Sequence, residues 1–183
     1  ETGLVALDWW TGNESLLRDH DLSGALIGLR PDSGPEAIYR ALLEAAAFGA
    51  YTILRGFDSS GVMIRKVFVG GDTLAECPLL GSILADVLGR ELHESPVACP
   101  AAVGAALYAR AALEPEPTAP EVLLRAVKSL PTAKAPAFRP NPGNHALYER
   151  LYDQYLILHE FLGRRSSQLM HDLAKLRALA RKA

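Results

Sequence analysis

Apolar residues near the N-terminus fall into short runs that are closed by turn-forming residues. Two such runs, residues 4–10 and Ala25–Leu29, predict β-strands. The next stretch, Pro35 to Phe57, predicts a long helix, because proline and glutamate stand at its start and apolar residues recur at helical spacing. Strand and helix patterns then alternate at residues 66–71, 78–88, 91–95 and 100–113. This order predicts an α/β fold in which helices cover the strands.

The C-terminal third of the chain is predicted to be helical. Two proline-rich segments enclose a short helix over 121–129, and a longer helix over 144–162 follows. We divide the chain into a domain at 1–163 and a tail at 164–183 that continues as a basic amphipathic helix. The leucines of the tail fit a helix docked on a partner, or a solvated extension, better than a nucleic-acid surface. Its cations are Arg164, Arg165, Lys175, Arg177, Arg181 and Lys182.

The composition narrows the class of protein. The 183 residues carry a net charge of −2, which gives no reason to expect nucleic acid or an anionic membrane as a partner. The two cysteines, Cys77 and Cys99, argue against a disulfide scaffold and suit a reducing cytoplasm. No apolar run approaches the roughly 18 residues of a membrane-spanning helix. Because the chain begins without Met and enters a strand almost at once, we expect a fragment of a longer protein.

Gly70 and Gly71 end the strand pattern at 66–71, and a helix pattern follows them. Glycines at such a turn permit positive φ and leave no Cβ between the backbone and a ligand. A helix that starts just beyond them offers free N–H groups and a positive dipole end to an anion. The turn therefore indicates either a nucleotide site or a tight structural turn without a ligand.

Cys77 is predicted to be the N-cap of the helix over 78–88, because Pro78 is favoured at the first helical position. Cysteine is a poor cap, and Asn, Asp or Ser would stabilise the helix by roughly 1 kcal/mol more. A thiol at a helix N-terminus can be activated as a nucleophile. Cys77 is therefore either a reactive cysteine or an unreactive small residue.

Other polar and aromatic side chains stand in apolar surroundings. Glu44 lies inside the long apolar helix and points either at an interior site or at solvent. Asp8 follows the first strand and either faces a cleft or caps the turn after it. Trp9 and Trp10 form either the wall of a sugar or base site, or part of the core or an interface.

Motifs of several enzyme classes are absent from the sequence. It contains no Walker loop, no G-x-S-x-G, no H-E-x-x-H and no cysteine–histidine spacing suited to zinc. The histidines are scattered without a metal-like pair, so we predict no metal ligands among them: His20, His93, His145, His159 and His171.

Several segments, taken in order, resemble the C-terminal domain of the FGGY carbohydrate kinases. Two of them carry the family pattern, VGGDTLAECPLLGSILADVLGR and ESPVACPAAVGAALYARAAL. Four others look like the L-ribulokinase branch of that family: LVALDWWTGN, DLSGALIGL, IYRALLEAAAFGA and NHALYERLYDQYLILHEFLG. The resemblance extends from about Gly3 to Gly163 and does not cover the tail.

This resemblance implies an actin-like, ribonuclease-H-like ATPase fold, in which two domains enclose a cleft for ATP and sugar. It implies that Gly70 and Gly71 approach the adenosine and the inner phosphate, and that the family's adenine-binding Asn falls at Cys77. The family commonly has Lys-Asn-Pro where this chain has Glu76, Cys77 and Pro78. The difference removes a cap and an amide group, and it places a carboxylate near the expected phosphates.

The resemblance also implies what this chain lacks. In the family, the aspartate that acts as general base on the sugar hydroxyl lies in the N-terminal domain, with one phosphate loop and most sugar contacts. Phosphoryl transfer requires nucleophile, metal and phosphates to be positioned together. We therefore assign no catalytic residue and expect the chain alone to be inactive. Its bare domain-facing surface would favour self-association, for instance as a homodimer.

Alternative functions remain open at this stage. The first is the ATP-binding half of a cytoplasmic kinase that uses ATP and Mg²⁺ to phosphorylate a ketopentose such as L-ribulose, or another ketopentose or polyol. The second is a non-catalytic actin-like module that acts through protein–protein contacts, as Glu76, Cys77 and the basic tail suggest. The third is a soluble α/β domain whose Gly-Gly turn is purely structural.

Overall fold

The structure, a computed structural model, describes residues 2–71, 73–97, 99–113, 119–128, 130–131, 137–164 and 167–181. In chain order its elements are β1 Val5–Leu7, β2 Ala25–Ile27, α1 Pro35–Ser59, β3 Val67–Val69, α2 Thr73–Glu76, α3 Pro78–Leu88, β4 Leu92–Glu94, α4 Pro100–Leu113, α5 Ala119–Lys128, α6 Pro142–Gly163 and α7 Leu169–Ala180. They confirm the predicted order of strands and helices, with the four-residue helix α2 as an addition.

Two small sheets provide the β structure. β1 pairs with β2 in an antiparallel arrangement, with Val5 opposite Ile27. β3 pairs with β4 in parallel, with Val67 opposite Leu92, and α3 lies in the connection between them. All three residues of β1 are buried, because α1 and α6 both pack against this strand. The predicted α/β fold is therefore confirmed, although helices bury only β1 completely and leave Ile27 of β2 and Phe68 of β3 exposed.

Helix α1 is the central element of the domain and contacts β1, α3 and α6. Its buried apolar residues are alanines apart from Phe48 and Tyr51, and small side chains let neighbouring elements approach closely. By length and composition alone α1 could cross a membrane, which the sequence analysis did not anticipate. Buried core helices pass the same test, and α1 contributes Phe48 and Tyr51 to the core cluster.

The ends of α3 agree with the sequence prediction. The helix starts at Pro78 and is closed by Gly89, whose φ is 60°. A Cβ at Gly89 would lie 2.7 Å from the ring of His145, so both the backbone conformation and the packing require glycine. Helix α6 begins two residues earlier than predicted, because the side chain of Asn141 accepts hydrogen bonds from two N–H groups of the first turn.

Aromatic side chains of α6 fill the space between this helix, α1 and β1. They recur on one helix face, at Tyr148, Tyr152, Tyr155 and His159. Phe48 of α1 contacts the three tyrosines, with ring centroids 5.3 to 6.1 Å apart. Trp9 meets His159 in an edge-to-face contact with centroids 5.3 Å apart. This aromatic cluster buries much of the apolar surface of the core.

The tail differs from the prediction of a continuous helix. Helix α6 ends at Gly163, Arg164 is extended, and the separate helix α7 begins at Leu169. The break lets the chain turn so that Met170 enters the core, where its Sδ lies 3.3 Å from the hydroxyl oxygen of Ser23. The remaining leucines of α7 stay exposed, at Leu169, Leu173, Leu176 and Leu179.

Parts of the predicted loops and tail lie outside the described residues. They are 114–118 and 132–136 of the proline-rich segments, Ser129 at the end of the predicted short helix, and 165–166 and 182–183 of the tail.

Candidate nucleotide-binding site

The turn after β3 is where the sequence predicts a nucleotide. Gly71 has φ of 75°, and apart from its neighbours in the chain no heavy atom of the described residues lies within 4 Å of the position that a Cβ would occupy. The backbone therefore requires glycine here, while the space in front of it is open. A Cβ at Gly70 would lie 3.1 Å from Cγ of Pro100. Gly70 thus allows β3 to pack against α4, and Gly71 leaves the backbone accessible to a ligand.

Cys77 is the N-cap of α3, as Pro78 predicts, and its side chain makes no capping hydrogen bond. Its Sγ lies 3.8 Å from the hydroxyl oxygen of Tyr39 on α1, and this hydrogen bond raises the pKa of Tyr39. The sequence predicts a single helix after the glycines, but the one-turn helix α2 precedes α3. Glu76, the last residue of α2, is exposed beside Cys77.

Glu44 faces the interior, which decides between the two orientations left open by the sequence. Its side chain is 6% exposed. One carboxylate oxygen accepts hydrogen bonds from Arg40 at 2.9 Å and from the hydroxyl of Tyr148 at 3.0 Å. Arg40 also donates to the oxygen of Tyr148 at 2.9 Å. Burial and the Glu44 carboxylate raise the pKa of Tyr148 to about 12. These three side chains form a closed network that joins α1 to α6.

Two cavities lie apart from the glycine turn. The larger, about 620 Å³, contains the network of Arg40, Glu44 and Tyr148 at the α1–α6 junction. The smaller, about 390 Å³, lies between the loop after β1, the second half of α1 and the second half of α6. Neither cavity is lined by Gly70, Gly71 or Cys77, so the candidate nucleotide site rests on the geometry of the turn.

Asp8 lines the smaller cavity, which favours the cleft-facing interpretation of this carboxylate. Its two oxygens lie 3.2 and 3.3 Å from the position of a Cβ at Gly49, and burial raises its pKa. The turn after β1 is closed by the main chain, since the N–H of Trp10 donates to the carbonyl of Asp8 at 2.9 Å. The two tryptophans separate: Trp9 is 2% exposed in the core and Trp10 is 64% exposed.

One group of potential metal ligands was not foreseen in the sequence. Single ligand atoms of Asp19, Asp21 and His171 lie within 4.8 Å of one another. Asp19 and His171 are 152 positions apart, so their spacing carries no local signal. His171 Nε2 lies 2.8 Å from a carboxylate oxygen of Asp19, and this pair ties α7 to the loop between β1 and β2.

Comparison with known proteins places this chain in a family. The profile of the FGGY family of carbohydrate kinases, C-terminal domain, matches residues 1–113. A ribulokinase of Anoxybacillus flavithermus is 40% identical over 181 residues, which are 99% of this chain and 32% of the relative. A ribulokinase of Geobacillus thermodenitrificans is 40% identical over 183 residues, 100% of this chain and 32% of the relative. The latter alignment includes the tail.

The fold prediction is confirmed by a solved structure. The xylulose kinase from Rhodospirillum rubrum superposes with a TM-score of 0.66 and 26% identity, over 93% of this chain and 32% of that one. The chain therefore belongs to the FGGY family of carbohydrate kinases, as a C-terminal domain with the actin-like ATPase fold. It spans about a third of the length of the relatives it matches.

Proposed function

We propose that this chain is the ATP-binding half of a sugar kinase that phosphorylates a ketopentose such as L-ribulose. The observation that carries the proposal is the turn at Gly71, where positive φ coincides with open space in front of the backbone. The family resemblance assigns adenosine and the inner phosphate to this turn. The ribulokinase relatives support the class of sugar, and with it a cytoplasmic role in L-arabinose catabolism.

The residues at the turn fit a nucleotide. ATP with Mg²⁺ would supply the transferred phosphoryl group. Gly71 offers accessible backbone to it, and the first turn of α3, at Pro78, carries the partial positive charge of a helix N-terminus. Cys77 supplies no amide to the adenine, and Glu76 places an exposed carboxylate beside the site. We therefore expect this chain to bind ATP more weakly than a relative with Lys-Asn at these positions.

The remaining parts of the reaction belong to the longer protein. We assign no catalytic base to this chain, and we place most sugar contacts in the N-terminal domain that the family resemblance implies. The choice among ketopentoses and polyols is then also made outside this chain. Closure of the two domains would exclude water and align the sugar hydroxyl with the nucleotide.

A second candidate function is a non-catalytic module that acts through protein contacts. Two observations favour it: Cys77 makes no capping hydrogen bond, and the leucines of α7 are exposed by 43% to 65%. This function predicts a folded domain without affinity for nucleotide and with an interface on α7.

A chimeric enzyme separates the two candidates. The C-terminal third of the Anoxybacillus flavithermus ribulokinase is replaced by this chain, and ATP-dependent phosphorylation of L-ribulose, D-xylulose and ribitol is measured. The kinase function predicts activity well above that of the truncated relative. It also predicts a higher KM for ATP after Gly71→Ala, with no change after Gly56→Ala, which meets open space on α1. A chimera that is folded by circular dichroism, binds no ATP and is inactive would favour the second function.

A further inference from the structure

Helix α7 carries an apolar stripe that the domain does not cover. Its leucines Leu169, Leu173 and Leu176 are 51%, 43% and 60% exposed, and the exposed Ala180 continues the stripe. Met170 lies on another face of the helix and is buried in the core. The helix is therefore anchored to the domain through one face while the stripe on another face stays open. A continuous exposed apolar surface of this kind indicates an interface.

The stripe has the spacing of a coiled coil. The positions of Leu169, Leu173, Leu176 and Ala180 are separated by four, three and four residues. These are the steps between successive d and a positions of a heptad written abcdefg, the positions that face a partner helix in a coiled coil. In this register the core residue Met170 falls at an e position, beside the seam. The partner that the spacing fits best is therefore another helix.

The charged residues of α7 indicate which helix that is. Asp172 falls at a g position and Arg177 at the following e position, five residues later. In a parallel pair of identical helices, each g position faces the following e position of the other helix, so two Asp172–Arg177 ion pairs would flank the seam. An antiparallel pair places g beside g and e beside e, which brings no opposite charges together. Lys175 and Arg181 fall at c and b, away from the seam, so their like charges do not oppose the pairing.

Both members of this ion pair can engage a partner, and the helix that carries them is already ordered. Oδ1 of Asp172 accepts from Nζ of Lys175 at 3.0 Å, which leaves Oδ2 for a second cation. The guanidinium of Arg177 makes no hydrogen bond or ion pair with other residues that the structure describes. His171 Nε2, 2.8 Å from a carboxylate oxygen of Asp19, holds the first turn of α7 on the domain. A preformed helix loses less conformational entropy on association than one that must fold on its partner.

We propose that α7 pairs in parallel with α7 of a second copy of this chain, across a two-fold axis. Leu169, Leu173 and Leu176 of each copy then pack against the same residues of the other copy. The helix is roughly 18 Å long, so the contact is smaller than a standard interface and its dissociation constant should be on the order of 100 µM. The contact does not involve the turn at Gly71, so the inference rests on neither of the two candidate functions.

Disulfide cross-linking tests the register. In a chain that carries Cys77→Ser and Cys99→Ser, a further Leu176→Cys places a thiol at a d position, where two parallel helices face each other. We expect mild oxidation near the expected dissociation constant to produce a covalent dimer. Lys175→Cys, at the exposed c position, is the matched control and should give only a collisional background. Cross-links between Leu173→Cys and Leu176→Cys chains, with neither linking to itself, would show an antiparallel pair and overturn the inference.

Analytical ultracentrifugation tests the leucines and the ion pairs. Leu173→Gln combined with Leu176→Gln should be monomeric at concentrations where the unsubstituted chain dimerises. Leu124→Gln, on α5 and 57% exposed, should leave the association unchanged. Arg177→Glu should raise the dissociation constant roughly tenfold, because two ion pairs become repulsive at once. Adding Asp172→Lys to this variant reverses both charges and should restore the dimer.

Three results would overturn the inference. The first is an unsubstituted chain that stays monomeric far above the expected dissociation constant. The second is dimerisation of the Leu173→Gln, Leu176→Gln variant, which would place the contact on another surface. The third is a Leu176→Cys cross-link that forms in this chain but not in the chimeric enzyme, because the rest of the kinase would then cover α7. None of these readouts involves ATP, so such a failure leaves the proposed kinase function standing.

Discussion

The network between α1 and α6 makes a quantitative prediction about stability. Tyr148→Phe removes one hydroxyl, which donates to Glu44 at 3.0 Å and accepts from Arg40 at 2.9 Å. The ring remains, so the edge-to-face contact with Phe48 is kept. The variant therefore isolates the two polar contacts from the apolar packing of the tyrosine.

The two lost contacts differ in their cost. A hydrogen bond to a charged group contributes about 1.5–3 kcal/mol. The side chain of Arg40 is 42% exposed, so water can replace the tyrosine there. The side chain of Glu44 is 6% exposed and water cannot reach it as easily. We therefore expect Tyr148→Phe to lower the free energy of unfolding by about 2 kcal/mol. For a domain of this size this is a fall in Tm of about 4–8 °C.

The assay is equilibrium unfolding in urea, followed by circular dichroism, with thermal unfolding as a second readout. Tyr152→Phe is the matched control, because its hydroxyl donates to the neutral hydroxyl of Thr52 at 3.2 Å and not to a charged group. We expect this control to lose about 1 kcal/mol or less. Equal losses in the two variants, or a loss below about 0.5 kcal/mol for Tyr148→Phe, would refute the account of a buried charged network.

The remaining predictions concern helix ends and pH. Gly89→Ala should destabilise by at least about 1–2 kcal/mol, since φ is positive and the Cβ meets His145. Gly56→Ala, in open space on α1, should instead stabilise by roughly 0.5–1 kcal/mol, and urea unfolding compares the two. Burial lowers the pKa of His159 in the folded protein below 6.5. The folded protein therefore favours the neutral imidazole, and we expect the free energy of unfolding to decrease as the pH falls below 6.5. His159→Phe should reduce this decrease. An unchanged dependence of stability on pH in the variant would contradict the assignment of the decrease to His159. The pKa of Tyr148 is raised to about 12, so the pH dependence has the opposite direction in alkaline solution. We expect stability to fall as the pH rises from 10 towards about 12.

Local signals in the sequence were sufficient for much of the fold. Proline at the first position and glycine after the last define α3 through backbone conformation alone, and both ends were predicted to the residue. The start of α6 was placed too late, because the capping role of Asn141 was not recognised in a proline-rich segment. The break before α7 depends on Met170 entering the core, which no local pattern records.

The candidate site was only partly predictable for the same reason. The Gly-Gly turn is visible in the sequence because glycine itself signals the conformation. The direction of Glu44 depends on Tyr148, which is 104 positions away. The cavity beside Asp8 depends on His159, contributed by a distant helix. Side chains that come together only through tertiary packing are separated by no characteristic distance in the sequence, so sequence analysis cannot pair them.

The measurement that tests the central claim most directly is calorimetric titration of Mg-ATP into the chain and two variants. The account predicts weak binding by the unsubstituted chain and roughly fivefold tighter binding by Cys77→Asn, the scale of one cap or amide hydrogen bond of about 1 kcal/mol. It predicts loss of binding in Gly71→Ala, whose Cβ would project into the open space at the turn. No heat from either the unsubstituted chain or Cys77→Asn, or equal affinity in Gly71→Ala, would contradict a nucleotide site at this turn.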